Sequence, residues 1–581
     1  MNKTFRLVVL ACLLCNALLF SQSFTRITDA TNPVVNDQFE SGGGSWADID
    51  NDGYLDLFVP NGNLNNQNNS LYLNDRQGSF IKVVAGAVVS DGGSSIGGAW
   101  GDFNNDGMLD LFVTNRVAFG NFLYLGNGDS SFTKITAGSM ISDRGNSNSS
   151  SWIDIENDGD LDLFVVNFGE RDFLYRNNGA PDYAFTKVDT AAIVQGNSNS
   201  IRGAWADYDN DRDPDLFVGN AGAQNDFLYT NNGAGTFQRT TFADGRSTLG
   251  ASWGDYDNDG DLDLFVANFL NQKNLLYTNS GPPDYSLTPV AAGAVTNDAG
   301  MSVGSAWGDF DNDGDLDLFV ANNNQGSFLY QNNGAPGYTF TKITASEIVN
   351  NIGASFGCVW ADYDRDGDLD LFVANQQNQK NFLFANDGNP NAWLTIKCVG
   401  AHSNTTAIGA KVRVKAIIDG RPRWQMQEAL AQTGYNSQNL ELHFGLGEAA
   451  IIDSIKVEWP SGVDDVFVNV GVKQFITITE SGGITSVTHP AEVFADFILQ
   501  PNYPNPFNPS TRIRFGLPSS HFVTLKVYDV LGREVAVLLE GFKSGGVHEV
   551  TFEAASLRSG LYLLRMAAGG FVKTHKMLLA Y

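Results

Sequence analysis

The stretch DYDNDGDLDLFVAN at residues 255–268 alternates acidic side chains with other residues and then turns apolar. Six related stretches occur along the chain: DIDNDGYLDLFVPN at 48–61, DFNNDGMLDLFVTN at 102–115, DIENDGDLDLFVVN at 154–167, DYDNDRDPDLFVGN at 207–220, DFDNDGDLDLFVAN at 309–322 and DYDRDGDLDLFVAN at 362–375. Their starts are separated by 48 to 54 residues. A fixed period of this length indicates an array of repeated supersecondary units rather than unrelated domains.

We call the first nine residues of these stretches loops one to seven, and number positions one to nine within each. Oxygen-bearing side chains fall at positions one, three, five and nine, and position six is usually glycine. Calcium is held in proteins by such alternating oxygens around a sharp glycine turn, with a main-chain carbonyl at position seven. The sequence therefore predicts calcium, and the variable residue at position seven is explained by the use of its carbonyl.

The predicted metal ligands fall into seven sets. They are Asp48, Asp50, Asp52, Tyr54 and Asp56 in loop one; Asp102, Asn104, Asp106, Met108 and Asp110 in loop two; Asp154, Glu156, Asp158, Asp160 and Asp162 in loop three; Asp207, Asp209, Asp211, Asp213 and Asp215 in loop four; Asp255, Asp257, Asp259, Asp261 and Asp263 in loop five; Asp309, Asp311, Asp313, Asp315 and Asp317 in loop six; and Asp362, Asp364, Asp366, Asp368 and Asp370 in loop seven.

Neither simple turn formation nor an EF-hand accounts for the loops. Aspartate and asparagine favour turns, which explains one or two acids per loop but not a spacing repeated seven times. Two like charges about 4 Å apart repel by about 1 kcal/mol even in water, so the clusters need a counterion. An EF-hand needs a bidentate Glu at position twelve, between helices. Position twelve here is Val59, Val165 or Val320, inside a β-branched and aromatic run that predicts a buried strand.

The formal charge is -29, and about half of the 65 Asp and Glu residues lie in the seven loops. Nucleic acid is excluded as a partner, because phosphate binding needs a basic surface. Residues 1–23 have a basic start and a short apolar stretch, which predicts a secretory signal peptide. A lipoprotein signal at Cys12 or Cys15 is the alternative. No later apolar run is long enough for a membrane span.

Each repeat carries further markers in a constant order. A Trp precedes each loop by two residues, and strands such as FLY at 122–124 and FTKIT at 132–136 follow it. Four short strands in about fifty residues are typical of one blade of a β-propeller, so we predict an all-β protein with seven blades. The Trp residues are expected to pack between blades. The segment FTRIT at 24–28 is predicted to supply the last strand of blade seven and so to close the ring.

These repeats resemble the FG-GAP or VCBS repeats of integrin-like propellers over about residues 24–390. The resemblance implies structural calcium at the blade loops and ligand binding elsewhere on the ring. Loops one, five, six and seven fit the family pattern fully. Loop two has Asn104, loop three has Glu156, and loop four has Arg212 in place of glycine and Pro214 after it. Loop four is the doubtful site, because Arg is unfavourable where φ is positive.

The acidic loops stop after residue 390. Residues 391–481 resemble the ASPIC/UnbV domain through motifs that include Gly434, Tyr435, Trp459 and Pro460, and their alternating runs predict a small β domain. His443 lies in one such run and is interpreted as a packed residue. The remaining cysteines, Cys358 and Cys398, are interpreted as buried thiols, with a disulfide as the alternative.

A linker is predicted at 482–496, and residues 497–581 resemble the type A C-terminal sorting domain of type IX secretion. That resemblance implies a small β-sandwich, engagement with the outer-membrane secretion machinery, and export to the surface of a Gram-negative bacterium. The domain order also resembles the cartilage acidic protein-like secreted family.

All six histidines lie beyond the repeats, and no nucleophile elbow or phosphate-binding glycine loop is present. We therefore expect a non-enzymatic, calcium-binding surface protein that acts in adhesion or in binding an extracellular glycan or protein. The alternatives are a lyase-like polysaccharide enzyme on a calcium propeller and a purely structural envelope protein.

Overall fold

The computed structural model describes residues 23–580 apart from 64, 117–118, 234, 431–438, 487–496, 500–501, 503, 518–520, 544–545, 555–556 and 569–570. The predicted signal peptide, and with it the lipoprotein alternative, lies outside the described residues except for Ser23. The chain forms two compact units, divided between residues 486 and 487. The first contains the repeats and the domain after them.

The repeats form antiparallel four-stranded units, which we call blades one to seven. Their strands are Ser45–Ala47, Asp56–Val59, Ser70–Asn74 and Phe80–Lys82 in blade one; Ser95–Gly101, Asp110–Asn115, Phe122–Gly126 and Phe132–Ile135 in blade two; Ser147–Ile153, Asp162–Glu170, Phe173–Asn177 and Phe185–Lys187 in blade three; and Ser198–Ala206, Asp215–Asn220, Asp226–Asn231 and Phe237–Phe242 in blade four. Those of the later blades are Thr248–Gly254, Asp263–Asn268, Leu275–Asn279 and Leu287–Pro289; Ser302–Gly308, Asp317–Gly326, Phe328–Asn332 and Phe340–Ile343; and Ile352–Ala361, Asp370–Asn375, Phe382–Asn386 and Phe24–Arg26.

Short elements connect the blades. Two-stranded pairs join Gln38–Phe39 to Gln379–Lys380 and Gln272–Lys273 to Ala299–Gly300. The single-turn helices are Pro33–Asn36, Ser139–Ser142, Ala294–Asn297 and Glu347–Asn350, with 3-10 turns at Ala87–Val89 and Ala192–Val194.

The apolar run after each loop is the second strand of a blade, and it is fully buried. Leu264, Phe265 and Val266 are at most 1% exposed, because each side of the blade packs against a neighbouring blade. Each loop therefore joins two strands, which confirms that it is not an EF-hand.

Tryptophan packing between blades is confirmed. Trp152 stacks on Phe103 of the preceding blade at a ring-centroid distance of 5.7 Å, and its Nε1 donates to the carbonyl of Ala99 at 3.2 Å. The same stacking joins Trp46 to Tyr363, and so joins blade one to blade seven.

The predicted N-terminal strand completes blade seven. Phe24 pairs with Asn386 and Arg26 with Phe384 in antiparallel register. The β-propeller predicted from the repeats is confirmed, and the edge of its last blade is covered by the start of the chain.

The second domain (residues 391–486) is a sandwich of two four-stranded sheets. One sheet contains Ala392–Val399, Glu441–Gly447, Gln474–Thr479 and Gly483–Ser486, and the other contains Lys411–Ile418, Arg421–Glu428, Ile452–Glu458 and Asp464–Val470. Residues 483–486, predicted to be linker, instead pair with the strand 474–479, because Ile484 packs against the sandwich core.

The second unit is a β domain with its own core. Its strands are Ile498–Leu499, Ser510–Leu517 and Gly546–Glu553 in one sheet, and Glu534–Lys543, His521–Asp529, Gly560–Ala568 and Phe571–Leu579 in the other. Leu525, Leu564 and Met566 are fully buried between the sheets.

Candidate metal sites

Two carboxylates shape each loop by accepting main-chain hydrogen bonds. The position-one carboxylate of loop five, Asp255, accepts from the N–H groups of Asp259 and Gly260, both at 3.1 Å. The position-nine carboxylate, Asp263, accepts from Tyr256 at 3.2 Å and from Asn279 on the third strand at 2.8 Å. The loop is thereby wrapped around the carboxylate of position three, Asp257.

Position three holds buried carboxylate oxygens that make no hydrogen bond. In four loops the Oδ1 atom of this aspartate is buried and has no hydrogen-bond partner among the described residues: Asp50, Asp209, Asp257 and Asp311. Oε1 of Glu156 in loop three makes no hydrogen bond either, although it forms an ion pair. Leaving a charged acceptor buried and unpaired is strongly unfavourable, so a cation could bind at these oxygens.

Five loops bring three carboxylates together with oxygen atoms within 4.8 Å of one another. The groups are Asp48, Asp50 and Asp52; Asp207, Asp209 and Asp215; Asp255, Asp257 and Asp259; Asp309, Asp311 and Asp317; and Asp362, Asp364 and Asp370. Oxygen ligands at this density match what a divalent cation needs, so these five groups could hold a metal ion.

The pKa values of several loop carboxylates are raised above their ordinary value. Burial, followed by repulsion from neighbouring aspartates, raises the pKa of Asp257 to about 6. Burial raises the pKa of Asp56 and of Asp110 to about 8, against opposing main-chain hydrogen bonds. A bound cation would reverse this, since it stabilises the ionised form.

Position four, which is asparagine in six loops, joins neighbouring loops. Asn258 has a positive φ of 55°, a region that asparagine tolerates well. Its Nδ2 donates to the carbonyl of Gly314 at 3.0 Å and to Asp315 at 2.8 Å in the next loop. In loop seven the residue is Arg365, whose Nε donates to the carbonyl of Gly53 in loop one at 2.7 Å. Asn105, Asn157, Asn210 and Asn312 bond to the next loop in the same way, whereas Asn51 of loop one reaches only Sδ of Met108, at 3.8 Å.

Loop three differs in how its position-three charge is balanced. Its position-three residue, Glu156, forms an ion pair with Arg176 on the third strand of the same blade. The equivalent strand residue in loop six is Gln331, which donates to Asp311 at 2.5 Å, and in loop five it is Thr278. Loop three therefore has a cation of its own blade at position three, where loops five and six have neutral residues.

Loop four keeps the common shape despite its arginine. Arg212 adopts φ of 78°, close to the 91° of Gly260, and its N–H donates to Asp207 at 3.0 Å as the glycine N–H does elsewhere. Arg212 therefore keeps the positive φ that is unfavourable for an arginine. The loop still gathers three carboxylates.

In loop two, Asn104 at position three bonds to the carboxylate of Asp106 at 3.0 Å. The position-seven N–H groups donate to position five, as Tyr54 does to Asp52 at 2.8 Å. The use of the position-seven carbonyls, including that of Met108, stays a prediction.

The second domain lies against the loops, which the sequence did not indicate. Lys411 Nζ lies 2.8 Å from Oδ2 of Asp207 and 2.6 Å from Oδ1 of Asn210. Arg423 pairs with Asp315 at 2.8 Å. These contacts join residues 108 to 204 positions apart, so no local pattern could reveal them.

Two kinds of residue singled out in the sequence are structural. His443 is buried, and its ring nitrogens lie 2.7 Å from Oδ1 of Asn312 and 3.0 Å from Oγ1 of Thr395. Burial lowers its pKa to about 4, which confirms the packed interpretation. Cys358 and Cys398 are buried thiols and do not form a disulfide with each other.

Comparison with known proteins identifies three parts of the chain. The FG-GAP-like repeat model matches residues 48–113, 102–165, 154–218, 207–266, 255–320 and 309–373, the ASPIC and UnbV model matches 400–485, and the secretion system C-terminal sorting domain model matches 502–580. No curated protein matches the chain. Among solved structures, the chain is similar to the β-propeller domain of Myceliophteria thermophila Cps50 (Swd1), with 8% identity, 62% of this chain and 99% of that chain covered, and a TM-score of 0.37.

The C-terminal sorting domain supports secretion to the cell surface or the extracellular space. Within the part of the chain that the structure describes, no helix is long and apolar enough to cross a membrane. The repeat matches together cover more than half of the chain. The chain therefore belongs to the FG-GAP-like repeat family, and its propeller is followed by an ASPIC and UnbV domain and a secretion sorting domain.

Proposed function

We propose that this protein is a secreted or cell-surface calcium-binding propeller that binds an extracellular glycan or protein. The observation that carries the calcium assignment is the set of buried position-three oxygens without partners, at Asp50, Asp209, Asp257 and Asp311. Four independent copies of the same unsatisfied acceptor are explained by one ligand type.

Calcium suits the ligand chemistry best. The five clusters offer carboxylate oxygens only, with no histidine or cysteine among them, and hard oxygen ligands favour calcium over softer metals. In loop five the ion would be held by the carboxylates of Asp255, Asp257, Asp259 and Asp263 and by the carbonyl of Asp261. When bound, the ion supplies charge neutralisation rather than a reactive group.

The role of the loops is then to fasten the blades together. Asn258 bonds to the next loop only because loop five holds it in a positive-φ turn. Arg423 similarly holds the second domain to Asp315 of loop six. Neutralising the acids around Asp257 would hold loop five, and with it the Asn258 contact, in this shape. We assign the loops no catalytic role.

Metal analysis and calorimetry of the full chain test this proposal. We expect five to seven calcium ions per chain, and Asp257→Asn should lose one of them. Asp284→Asn, the same chemical change at an exposed position of blade five, is the matched control and should retain all. Two or fewer ions in calcium-replete buffer would contradict the proposal.

A further inference from the structure

Trp424 is an exception among the tryptophans of this protein. Of the ten, nine are at most 8% exposed, and Trp424 is 43% exposed. It lies on the strand Arg421–Glu428, the outer strand of its sheet in the second domain. A large, rigid aromatic ring that is partly exposed offers a flat surface on which a ligand can stack.

Trp424 lines an open groove between the second domain and the propeller, with a volume of about 700 Å³. The groove has Trp424, Arg413, Arg421 and Arg423 on one side, and Tyr338 of blade six with Asp259 of loop five on the other. Both sides belong to the same compact unit.

Buried ion pairs and hydrogen bonds hold the two sides of the groove in place. Arg413 Nη1 donates to the carbonyl of Gly260 in loop five at 3.1 Å. Arg423 pairs with Asp315 of loop six at 2.8 Å, and its side chain is only 12% exposed. The groove is thus preformed, as binding sites usually are.

Most cations of the groove are already paired: Arg413 and Lys456 with Glu458, which also lines the groove, and Arg423 with Asp315. Arg421 is exposed and makes no ion pair with any described residue, and Lys415 Nζ lies 5.7 Å from the centre of the Trp424 ring. Asp255 and Asp259 are the opposing charges on the propeller side, and calcium in loop five would neutralise them. The charge balance of the groove therefore rests on the proposed function.

We infer that this groove binds a carboxylate-bearing polysaccharide, such as a chain that contains uronic acids. The flat face of Trp424 fits the apolar C–H face of a sugar ring, and Arg421 can bind a carboxylate through two parallel hydrogen bonds. An open groove suits a chain rather than a small enclosed molecule. A protein partner would instead require a contiguous apolar centre, and charged residues occupy that place here.

The test uses the calcium-loaded full chain and short oligogalacturonates, with neutral cello-oligosaccharides of equal length and poly-glutamate as comparison ligands. We expect calorimetry to show binding of the oligogalacturonate and weaker binding of both comparison ligands. Trp424→Ala should reduce the affinity by about tenfold or more. Val468→Ala, an exposed residue on the same domain but outside the groove, is the matched control and should change nothing.

A second variant tests the charge. Arg421→Gln should weaken oligogalacturonate binding several-fold and reduce its salt dependence, because one screened ion pair is lost. Unchanged affinity in Trp424→Ala would overturn the inference, as would equal binding of the neutral chains or of poly-glutamate. An absence of oligogalacturonate binding in a protein that carries five or more calcium ions would overturn the inference and leave the calcium proposal standing. If the protein is found to bind no calcium but still binds oligogalacturonate in a way that depends on Trp424, the calcium proposal would be contradicted and the inference would stand.

Discussion

Loops three and five have nearly the same sequence and the same backbone hydrogen bonds, and they differ in how their negative charge is balanced. In loop five the Oδ1 atom of Asp257 is buried without a partner. In loop three the equivalent Glu156 forms an ion pair with Arg176 from the third strand, although its Oε1, like Oδ1 of Asp257, makes no hydrogen bond to a described residue. Under the proposed assignment, loop five would take its cation from solution, whereas loop three has one in the chain. The spacing of acids predicts the shape of a loop, and we propose that the residue facing position three decides how strongly the loop binds a metal.

Of the changes considered, removing calcium should have the largest effect on the stability of the propeller. Binding to the folded state stabilises it by about 1.4 kcal/mol per site at tenfold excess of ligand over the dissociation constant, and several sites act together. We expect strong chelator to lower the thermal midpoint and to expose the propeller to protease. Equal protease resistance with and without calcium would show that the acids of the ring are balanced in another way.

Calcium should remove the pH dependence of stability that the loop carboxylates otherwise cause. The pKa of Asp56 and Asp110 is raised to about 8 and that of Asp154 to about 7, above an unfolded value of about 4. Without calcium the folded state holds more protons than the unfolded state between these values. Its stability should therefore fall as pH rises from about 5 to 8, by about 1.4 kcal/mol per pH unit for each such carboxylate.

With calcium, the ligands are ionised in the folded state, and above about pH 5 they are also ionised in the unfolded state. Stability should therefore change little over the same range. Denaturant unfolding at a series of pH values in calcium and in chelator measures both slopes. An equally steep fall in the two buffers would contradict the assignment of the carboxylates as ligands.

Single substitutions at position three should separate the two loops. Asp257→Asn is expected to lower stability by about 1 to 2 kcal/mol in calcium, and to be neutral or stabilising in chelator, because one repulsive charge is removed. Glu156→Gln should destabilise equally in both buffers, since it leaves Arg176 without its partner. A loss for Asp257→Asn that is the same in chelator would indicate packing instead.

Loop three can also be converted. The double variant Glu156→Asp with Arg176→Thr reproduces the pair Asp257 and Thr278 of loop five. We expect calorimetry to show one additional calcium ion, with a modest gain in calcium-dependent stability. An unchanged ion count would mean that the Arg176 pair is not what distinguishes the loops.

Much of the fold could be predicted from the sequence, because the same pattern of residues recurs in seven repeats. The loop spacing, the buried apolar strand and the Trp before each loop are local signals, and local signals determine the blades. The position-four asparagines gave no such signal, because a residue between ligands carries no chemistry of its own; Asn258 acts only when the next loop is beside it.

Long-range contacts could not be predicted. Lys411 and Arg423 reach the loops from a separate domain, and neither lies in a recognisable motif. The Glu156 pair did leave a signal, since Glu replaces Asp in the same repeat in which Arg176 replaces a neutral residue. Reading the two changes together would have identified loop three as a loop whose position-three charge is paired within its own blade. Loop four is still expected to bind weakly, because Lys411 already pairs with Asp207.

If the unpartnered oxygens mark calcium sites, each ion should be visible in its own loop. Anomalous diffraction from crystals of the calcium-loaded full chain tests this most directly, because it locates the ions one by one. We predict anomalous peaks beside Asp50, Asp257, Asp311 and Asp364, a weaker peak beside Asp209, and the weakest or none beside Glu156. Peaks absent from the loops with unpartnered oxygens, or as strong beside Glu156 as beside Asp257, would contradict the calcium assignment.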